Sequence, residues 1–211
     1  MLARFARASH RDRVLELGAG CGVASIMIAA LHRPRDVVAV EIQPQLAAMA
    51  ERNAALNGLG HVRTICADIR KRKIAGVEPA GFDLVVANPP FRARATGRDN
   101  PVSGRRIARG EEAAELNDFV AAARRYLRNG GRAVFVFTAR RTAELISTMQ
   151  AQRLEPKRMR FVHPQIGKSA SAVLVEGRAG GGIEAMIEPP LILYDRPGIY
   201  SEEAHAMLSS V

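Results

Sequence analysis

Short apolar runs alternate with helix-compatible segments from the first residues onward, and this rhythm constrains the fold more than any other feature of the chain. Val14–Leu17 reads as a first strand, followed by a glycine turn and a helix over Val23–Leu31. Val37–Val40 is a second strand, and Pro44 suits the first turn of a helix reaching Leu56, where Asn57-Gly58 supplies a stop. Val62–Cys66 and Leu84–Ala87 read as strands three and four. After a polar loop over roughly 92–110, Glu111-Glu112 opens a helix with its acids at the positive end of the dipole. Ala133–Phe137 is strand five, behind the Asn129-Gly130-Gly131 turn; a helix over Thr142–Gln152 and strands at Met159–Val162 and Ala172–Val175 come next. Such alternation implies an α/β fold with a mostly parallel seven-stranded sheet and helices on both faces. Without an internal repeat or low-complexity linker, residues 1–211 read as one domain. The tail after Gly180-Gly181-Gly182, with its "PPLILYD", reads as an extended segment.

The chain's 47% apolar content fits a globular protein. Its longest apolar helix candidate, Val23–Leu31, is short of the ~18 residues that span a membrane. The N-terminus lacks the order of a signal peptide. Cys21 and Cys66 are too few for a disulfide scaffold, and no Cys/His cluster has zinc-ligand spacing, so no metal is expected and the cytoplasm is the default compartment. The net charge is +10, and 27 of the 31 basic residues are arginine. A field of that sign favours polyanions, although an Arg- and Ala-rich composition also follows from a GC-rich genome.

"ELGAGCG" (16–22) places Gly18, Gly20 and Gly22 between the first strand and its helix. Glycine lets the backbone turn sharply and lets a ligand approach without a Cβ in the way, and a helix N-terminus favours a negative group. Glu41 ends strand two, where a carboxylate can accept hydrogen bonds from two ribose hydroxyls. Asp68 follows strand three and Asn88 follows strand four. Each has an ordinary reading, as a surface acid, a cap or a turn residue. Together they mark the carboxyl ends of four successive strands, the edge where open α/β sheets bind ligands.

The G-x-G-x-G spacing differs from the G-x-G-x-x-G of dinucleotide enzymes, which disfavours an NAD-dependent dehydrogenase. It resembles the Rossmann-like, class I S-adenosylmethionine-dependent methyltransferases. That resemblance implies that Gly18 and Gly20 pass the methionine end of the cofactor, with Glu16 and Ala19 of the same turn among its contacts. Glu41 would hold the ribose, Asp68 the adenine amino group, and Ile42 and Ile69 would sandwich the adenine ring, unless these two are ordinary core. Asn88 would stand against both cofactor and substrate.

"NPPF" (88–91) then finds a use. An exocyclic amine on a nucleobase is a poor nucleophile because its lone pair is delocalised into the ring. Two acceptors that grip its hydrogens, the Asn88 side-chain oxygen and the Pro89 carbonyl, favour a pyramidal nitrogen with the lone pair freed. The two prolines hold the backbone rigid, and Phe91 offers a flat face for a planar substrate. No general base is required, and no histidine lies near these strand tips in sequence. The pattern of Asp, Asn or Ser, then Pro-Pro, then Phe, Tyr or Trp is that of the amino-methyltransferases of adenine N6, cytosine N4, guanine N2 and protein glutamine.

Residues 92–109 carry Arg92, Arg94, Arg98, Arg105, Arg106 and Arg109 against the single acid Asp99, and "RKRK" (70–73) follows strand three at the same edge. Such cations suit phosphates around an extruded base. "FVHPQIGKSASAVLVEGRAGGG" and "PPLILYDRPGIYSEE" resemble the C-terminal part of the bacterial tRNA(Val) anticodon-loop adenine N6-methyltransferases. The resemblance implies an RNA substrate, with Arg92, Arg94, Arg105, Arg106 and Lys168 on its phosphates. Relatives in that family have a strand or hairpin and then a helix ahead of strand one, covering the methionine end. "MLARFAR" looks like the end of that helix, which implies either a sequence that begins late within the family's frame or a more open pocket. Guanine-N2 methylation of rRNA, glutamine methylation of a release factor, and RNA binding without catalysis are the competing readings; the helical domain that release-factor enzymes have ahead of this unit is missing from this sequence.

Overall fold

The computed structural model describes residues 1–90 and 114–208. Phe91, the six loop arginines and the helix start at Glu111-Glu112 lie outside the described residues. The elements run α1 (Leu2–Ala6), β1 (Arg13–Leu17), α2 (Val23–His32), β2 (Asp36–Glu41), α3 (Pro44–Leu56), β3 (Val62–Cys66) and β4 (Phe82–Ala87). Then come α4 (Leu116–Tyr126), β5 (Leu127–Thr138), a 3-10 turn (Ala139–Arg141), α5 (Thr142–Ala151), β6 (Leu154–His163) and β7 (Ala172–Ala179). The tail supplies β8 (Met186–Ile187), β9 (Leu191–Ile192), β10 (Tyr194–Arg196), β11 (Ile199–Tyr200) and α6 (Glu202–Leu208).

The main sheet is ordered β3-β2-β1-β4-β5-β7-β6-β8, with β9 also on β6. Strands β1 to β5 pair in parallel, whereas β7 is antiparallel to both β5 and β6. The seven expected strands are present, but the count of seven falls short. The tail, expected only to be extended, adds two-residue strands in parallel along β6, and the sheet has nine strands among the described residues. A continuous apolar run signals a strand buried on both faces, and these two lie at an edge where half their residues face water.

Two strand lengths also differ from the reading of apolar runs. β5 takes in the Asn129-Gly130-Gly131 stretch: Phe82 pairs with Leu127 and Leu84 with Arg132, so the ladder bulges, with Gly130 at φ 73°. β6 begins at Leu154 rather than Met159, because its hairpin with β7 alternates buried and half-buried side chains. Pro156 sits at that hairpin's register shift, where its missing N–H costs no ladder bond.

Strand periodicity sends alternate residues to two cores. Leu15, Leu17, Val38, Val40 and Val85 pack with Phe119, Val120, Leu145 and Met149 of α4 and α5. Val14, Val37, Leu84, Val86 and Val134 pack with Leu2 and Phe5 of α1, Ile28 of α2 and Ala204 of α6. Helix α4 starts with reciprocal capping between Glu115 and Asp118, the Glu115 amide reaching Asp118 Oδ2 at 2.8 Å.

Below α1, Arg158 is nearly buried with its guanidinium 3.9 Å from the Phe5 ring centroid. It donates to the Phe5 carbonyl, to Glu176 Oε2 at 2.8 Å and to Glu188 Oε1 at 3.1 Å. Arg132 joins Glu176 to Asp12 and to the carbonyls of Ala6 and Arg7. One network thus ties the first helix, the β5–β7–β6 corner and the tail. Removing one member of a buried pair leaves the other charge without compensation. Arg158→Ala should therefore lower stability by about 3 kcal/mol in urea unfolding, since Arg132 still contacts Glu176.

Candidate active site

Register places the site. Leu17 of β1 pairs with Val40 of β2 and with Ala87 of β4, and Glu41 pairs with Cys66 of β3. Gly18, Glu41 and Asn88 therefore leave the sheet at one level, adjacent strands being roughly 5 Å apart. The chain order of β1, β2 and β4 reverses at β1, so this is also the switch point where such sheets open a crevice.

The glycine turn is clamped to the end of β2. The amides of Gly18 and Ala19 donate to the Val40 carbonyl at 2.8 and 3.0 Å, and that of Gly20 donates to Glu41 Oε2 at 2.8 Å. The other Glu41 oxygen accepts from the Gln43 amide at 3.0 Å. Glu41 is only 5% exposed, so it is a built-in member of the turn and not a loose surface acid, although each oxygen keeps a further lone pair. The glycines differ in purpose. At Gly18 a Cβ would sit 2.9 Å from Phe119 Cε1, and at Gly22 it would sit 2.9 Å from the Ala50 methyl, so these two are small because helices pack on them. At Gly20 a Cβ would meet nothing within 4 Å, and the residue holds φ 57°. That open space is where a ligand can approach the turn.

Glu16 lies two residues before Gly18, buried on β1. Its Oε2 accepts from the Ser25 amide at 2.8 Å and from the Ser25 hydroxyl. Burial raises its pKa from 4.5 to about 7, against the Ser25 hydrogen bonds, and the nearby charge of Glu41 pushes in the same direction as burial. Ser25 was not legible as a partner, since its role depends on α2 returning over the end of β1.

Asp68 stands where expected after β3, but it is engaged. The Arg70 guanidinium chelates it, with Nη2 to Oδ2 at 2.7 Å, and the Arg70 amide closes a turn onto Oδ1 at 2.9 Å. Hydrogen bonding to Arg70 holds its pKa below the ordinary carboxylate value, so the acid is ionised. Of the "RKRK" cations, Arg70 is thus committed to Asp68, while Lys71, Arg72 and Lys73 are exposed. Ile42 and Ile69 part company: Ile69 is in the α4-side core at 5% exposure, whereas Ile42 leaves 43% of its surface open.

Asn88 follows Ala87 directly and is exposed, and its side chain has no hydrogen-bond partner among the described residues. Pro89 behind it is buried and Pro90 exposed. Phe91 and Arg92, Arg94, Arg105 and Arg106 lie outside the described residues. Lys168 is exposed in the β6–β7 loop, and antiparallel pairing of Val162 with Ala172 and of Ala172 with Thr138 puts that loop at the same carboxyl edge. The strand-tip reading missed two groups there. Arg140, exposed just after β5, neighbours the β4 tip, and the order of strands reveals it. His163 ends β6 at this edge, its Nδ1 2.7 Å from the Lys168 carbonyl, which fastens the loop. Among the described residues, no group of three or more His, Cys, Asp or Glu could hold a metal ion, and no helix is long and apolar enough to cross a membrane.

The arrangement fits S-adenosylmethionine: open space at Gly20, a buried carboxylate at the end of β2, an exposed apolar side chain beside it and an ionised acid after β3.

Residues 1–155 match the methyltransferase small domain family. Over 204 residues the chain is 26% identical to the tRNA1(Val) (adenine(37)-N6)-methyltransferase of Aeromonas hydrophila, covering 96% of this chain and 83% of that protein. It is 28% identical over 193 residues to the enzyme of the same name from Porphyromonas gingivalis, covering 90% and 75%. Among solved structures, a predicted O-methyltransferase of Agrobacterium tumefaciens superposes with a TM-score of 0.78 at 21% identity, over 98% of this chain and 93% of that one. Geranyl diphosphate C-methyltransferase of Streptomyces coelicolor gives 0.62 at 16% identity, over 84% and 79%.

Glu16 generates a measurable consequence. Its folded pKa of about 7 exceeds the ordinary 4.5, so between these values the folded chain binds more protons than the unfolded one. Stability of the ligand-free protein should therefore fall as pH rises through that window, by about 3 kcal/mol for a shift of this size. Glu16→Gln keeps an acceptor for Ser25 and cannot ionise, so urea unfolding at about pH 5 and about pH 8 should give a flatter profile for the variant.

Proposed function

The chain belongs to the methyltransferase small domain family, and from that premise we propose that it methylates the N6 amine of an unpaired adenine in tRNA. S-adenosylmethionine is the cofactor; when bound, it supplies an electrophilic methyl group on a sulfonium centre. The observation that carries the reading is the placement of Asn88. Its side-chain amide, without a hydrogen-bond partner among the described residues, stands at the β4 tip, level with the glycine turn and Glu41, on a backbone anchored by the buried Pro89.

In this reading the Asn88 Oδ1 and the Pro89 carbonyl accept the two hydrogens of the substrate amine. That grip favours a pyramidal nitrogen and turns its lone pair toward the cofactor side of the tip. Proline at 89 and 90 keeps the carbonyl from swinging away, so the work of the chain is placement, the largest contribution open to a step with a good leaving group. Phe91 stacks on the base. Glu41 holds the ribose of the cofactor with its remaining lone pairs, Asp68 takes the adenine amino group, and Gly18, Ala19 and Gly20 line the methionine end, with Glu16 acting on that end from beneath the turn. Ile42 covers one face of the cofactor's adenine, with Ile69 supporting the opposite wall from the core.

The substrate side rests on charge and likeness. Arg92, Arg94, Arg105 and Arg106 of the loop after the tip, with Lys168, bind phosphates around the extruded base. An unpaired loop base is cheap to extrude, which suits a reading in which residues 1–211 act as one domain. The Aeromonas and Porphyromonas relatives are named as tRNA adenine-N6 methyltransferases, and that supports tRNA over rRNA. The compartment implied is the cytoplasm.

Two measurements test this. Nucleosides from total tRNA incubated with the protein and S-adenosylmethionine should contain new N6-methyladenosine by mass spectrometry. N2-methylguanosine, or methyl groups only on protein glutamine, would overturn the reading. Asn88→Ala should cut turnover by about 100-fold at saturating substrate, the scale of misplacing a reacting group, with S-adenosylhomocysteine affinity retained in calorimetry. Glu41→Ala should do the reverse and weaken that affinity, by roughly 1–3 kcal/mol.

A further inference from the structure

The sequence "YDRPGIY" (194–200) has no role in the site just described, yet the fold gives it a definite place. Strand β9 runs parallel to the end of β6, pairing Leu191 with Val162 and Ile192 with His163. The chain continues in the same direction, the Leu193 amide bonding the His163 carbonyl at 2.8 Å and the Tyr194 amide the Pro164 carbonyl at 3.0 Å. It therefore emerges at the carboxyl edge of the sheet, beside the loop that holds Lys168. There it folds into the β10–β11 hairpin, with Tyr194 opposite Tyr200, and Pro197-Gly198 at the turn with Gly198 at φ 78°. Ser201 fixes the far end, its amide on the Leu193 carbonyl at 2.9 Å and its hydroxyl on the Ile192 carbonyl at 2.6 Å.

The two tyrosine rings stack with centroids 4.8 Å apart and planes inclined by 19°. A cross-strand aromatic pair stabilises any small hairpin, but a staple has no need to face water. Here Tyr200 is 44% and Ile199 58% exposed, and residues 195–198 are exposed as well. Among the described residues, exposed cations beside this open aromatic surface include Arg196 on the hairpin itself and Lys168 in the adjoining loop, with Arg140 farther along the same edge after β5. The acids nearby are Asp195, Glu202 and Glu203, of which Glu203 is paired with Arg160 at 2.6 Å. An exposed π-face flanked by cations is the combination that binds single-stranded nucleic acid, the rings taking bases and the cations phosphates.

We propose that the Tyr194–Tyr200 hairpin is an RNA-stacking platform that receives an unpaired base of the substrate other than the one being modified. The hairpin continues β9, which lies beyond β6 and so four strands from β4, a separation of roughly 19 Å at the usual strand spacing. At ~3.4 Å per stacked nucleotide, that distance spans about five or six positions of one strand. The base on the hairpin and the base at Asn88 thus belong to the same single-stranded stretch, and the platform sets which position reaches the tip. The inference rests on the RNA reading above and adds to it a second point of contact.

The chain contains no tryptophan and three tyrosines, of which Tyr126 is fully buried, so the two tyrosines that RNA can reach are both on this hairpin. Titrating total tRNA into the full chain should quench tyrosine emission beyond the loss that absorption by the RNA itself causes. The Kd for tRNA should rise about 10-fold in the Tyr194→Leu/Tyr200→Leu double variant, the range for one lost base–aromatic stack being about 5- to 150-fold. Tyr194→Phe/Tyr200→Phe keeps both π-faces and should bind like the parent; melting temperature and S-adenosylhomocysteine affinity check that each variant stays folded. RNA binding that leaves tyrosine emission unchanged once that absorption is allowed for, or a Leu pair that binds tRNA as tightly as the parent, overturns the platform and leaves a hairpin staple or a protein-facing surface. A parent protein that binds no RNA at all overturns the substrate reading as well, so the two failures are distinguishable.

Discussion

The parallel register of β1 between β2 and β4 is the constraint on which the rest of the site depends. Because Leu17 is level with both Val40 and Ala87, three strands reach the edge of the sheet together. The next residue on each strand, a glycine, a carboxylate and an asparagine in turn, is then presented side by side with the other two. A one-residue slip of β4 would turn its inward apolar side chains to the opposite face and carry Asn88 out of line, so core packing and the alignment of these three residues are enforced by the same pairing. The apolar run Leu84–Ala87, buried on both faces, makes such a slip expensive.

A second layer of constraint is electrostatic. Two carboxylates, Glu16 and Glu41, flank the glycine turn from adjacent strands, and their environments separate their behaviour. Glu41 accepts amide hydrogens on each of its oxygens, whereas Glu16 is sealed beneath α2 with the Ser25 donors on one oxygen. Burial lifts the Glu16 pKa to about 7, so the group is neutral below that pH and only partly ionised near it, which limits the repulsion two buried negative charges would otherwise exert on a single turn. A positively charged group entering beside the turn would favour the ionised form of Glu16. The turn is thus rigid, electron-rich and open at Gly20, the combination that a cationic nucleoside cofactor calls for.

On the other side of the sheet's centre the tail changes what the fold can present. Arg158 and Arg132 lock α1 and Glu188 to the β5–β7–β6 corner, and β8 and β9 then lay the tail along β6. The stretch after β9 is consequently delivered to the carboxyl edge and not left on a distant surface. The same edge holds the exposed cations Lys168 and Arg140. A sheet built around one cofactor crevice acquires a long flank on which a polyanion can lie.

Much of this was legible in the residues. Alternating apolar runs and helical segments determined the strand–helix order, and the strand ends located Gly18, Glu41, Asp68 and Asn88, because carboxyl ends of parallel strands must share an edge. Strand lengths at β5 and β6 were not legible, since bulges and half-exposed hairpins break the apolar signal on which the reading depends. Nor could the sequence separate Ile42 from Ile69, or tell that Gly18 is small for the sake of Phe119 while Gly20 faces open space. It could not show that Arg70 is committed to Asp68, that Ser25 supports Glu16, or that two short tail strands extend the sheet. Those facts depend on contacts between segments far apart in the chain, and local pattern records only what each segment prefers. The order of elements and the chemistry at the strand tips were thus set by local pattern; which of those groups are buried, already partnered or left open to a ligand was settled by packing between distant segments.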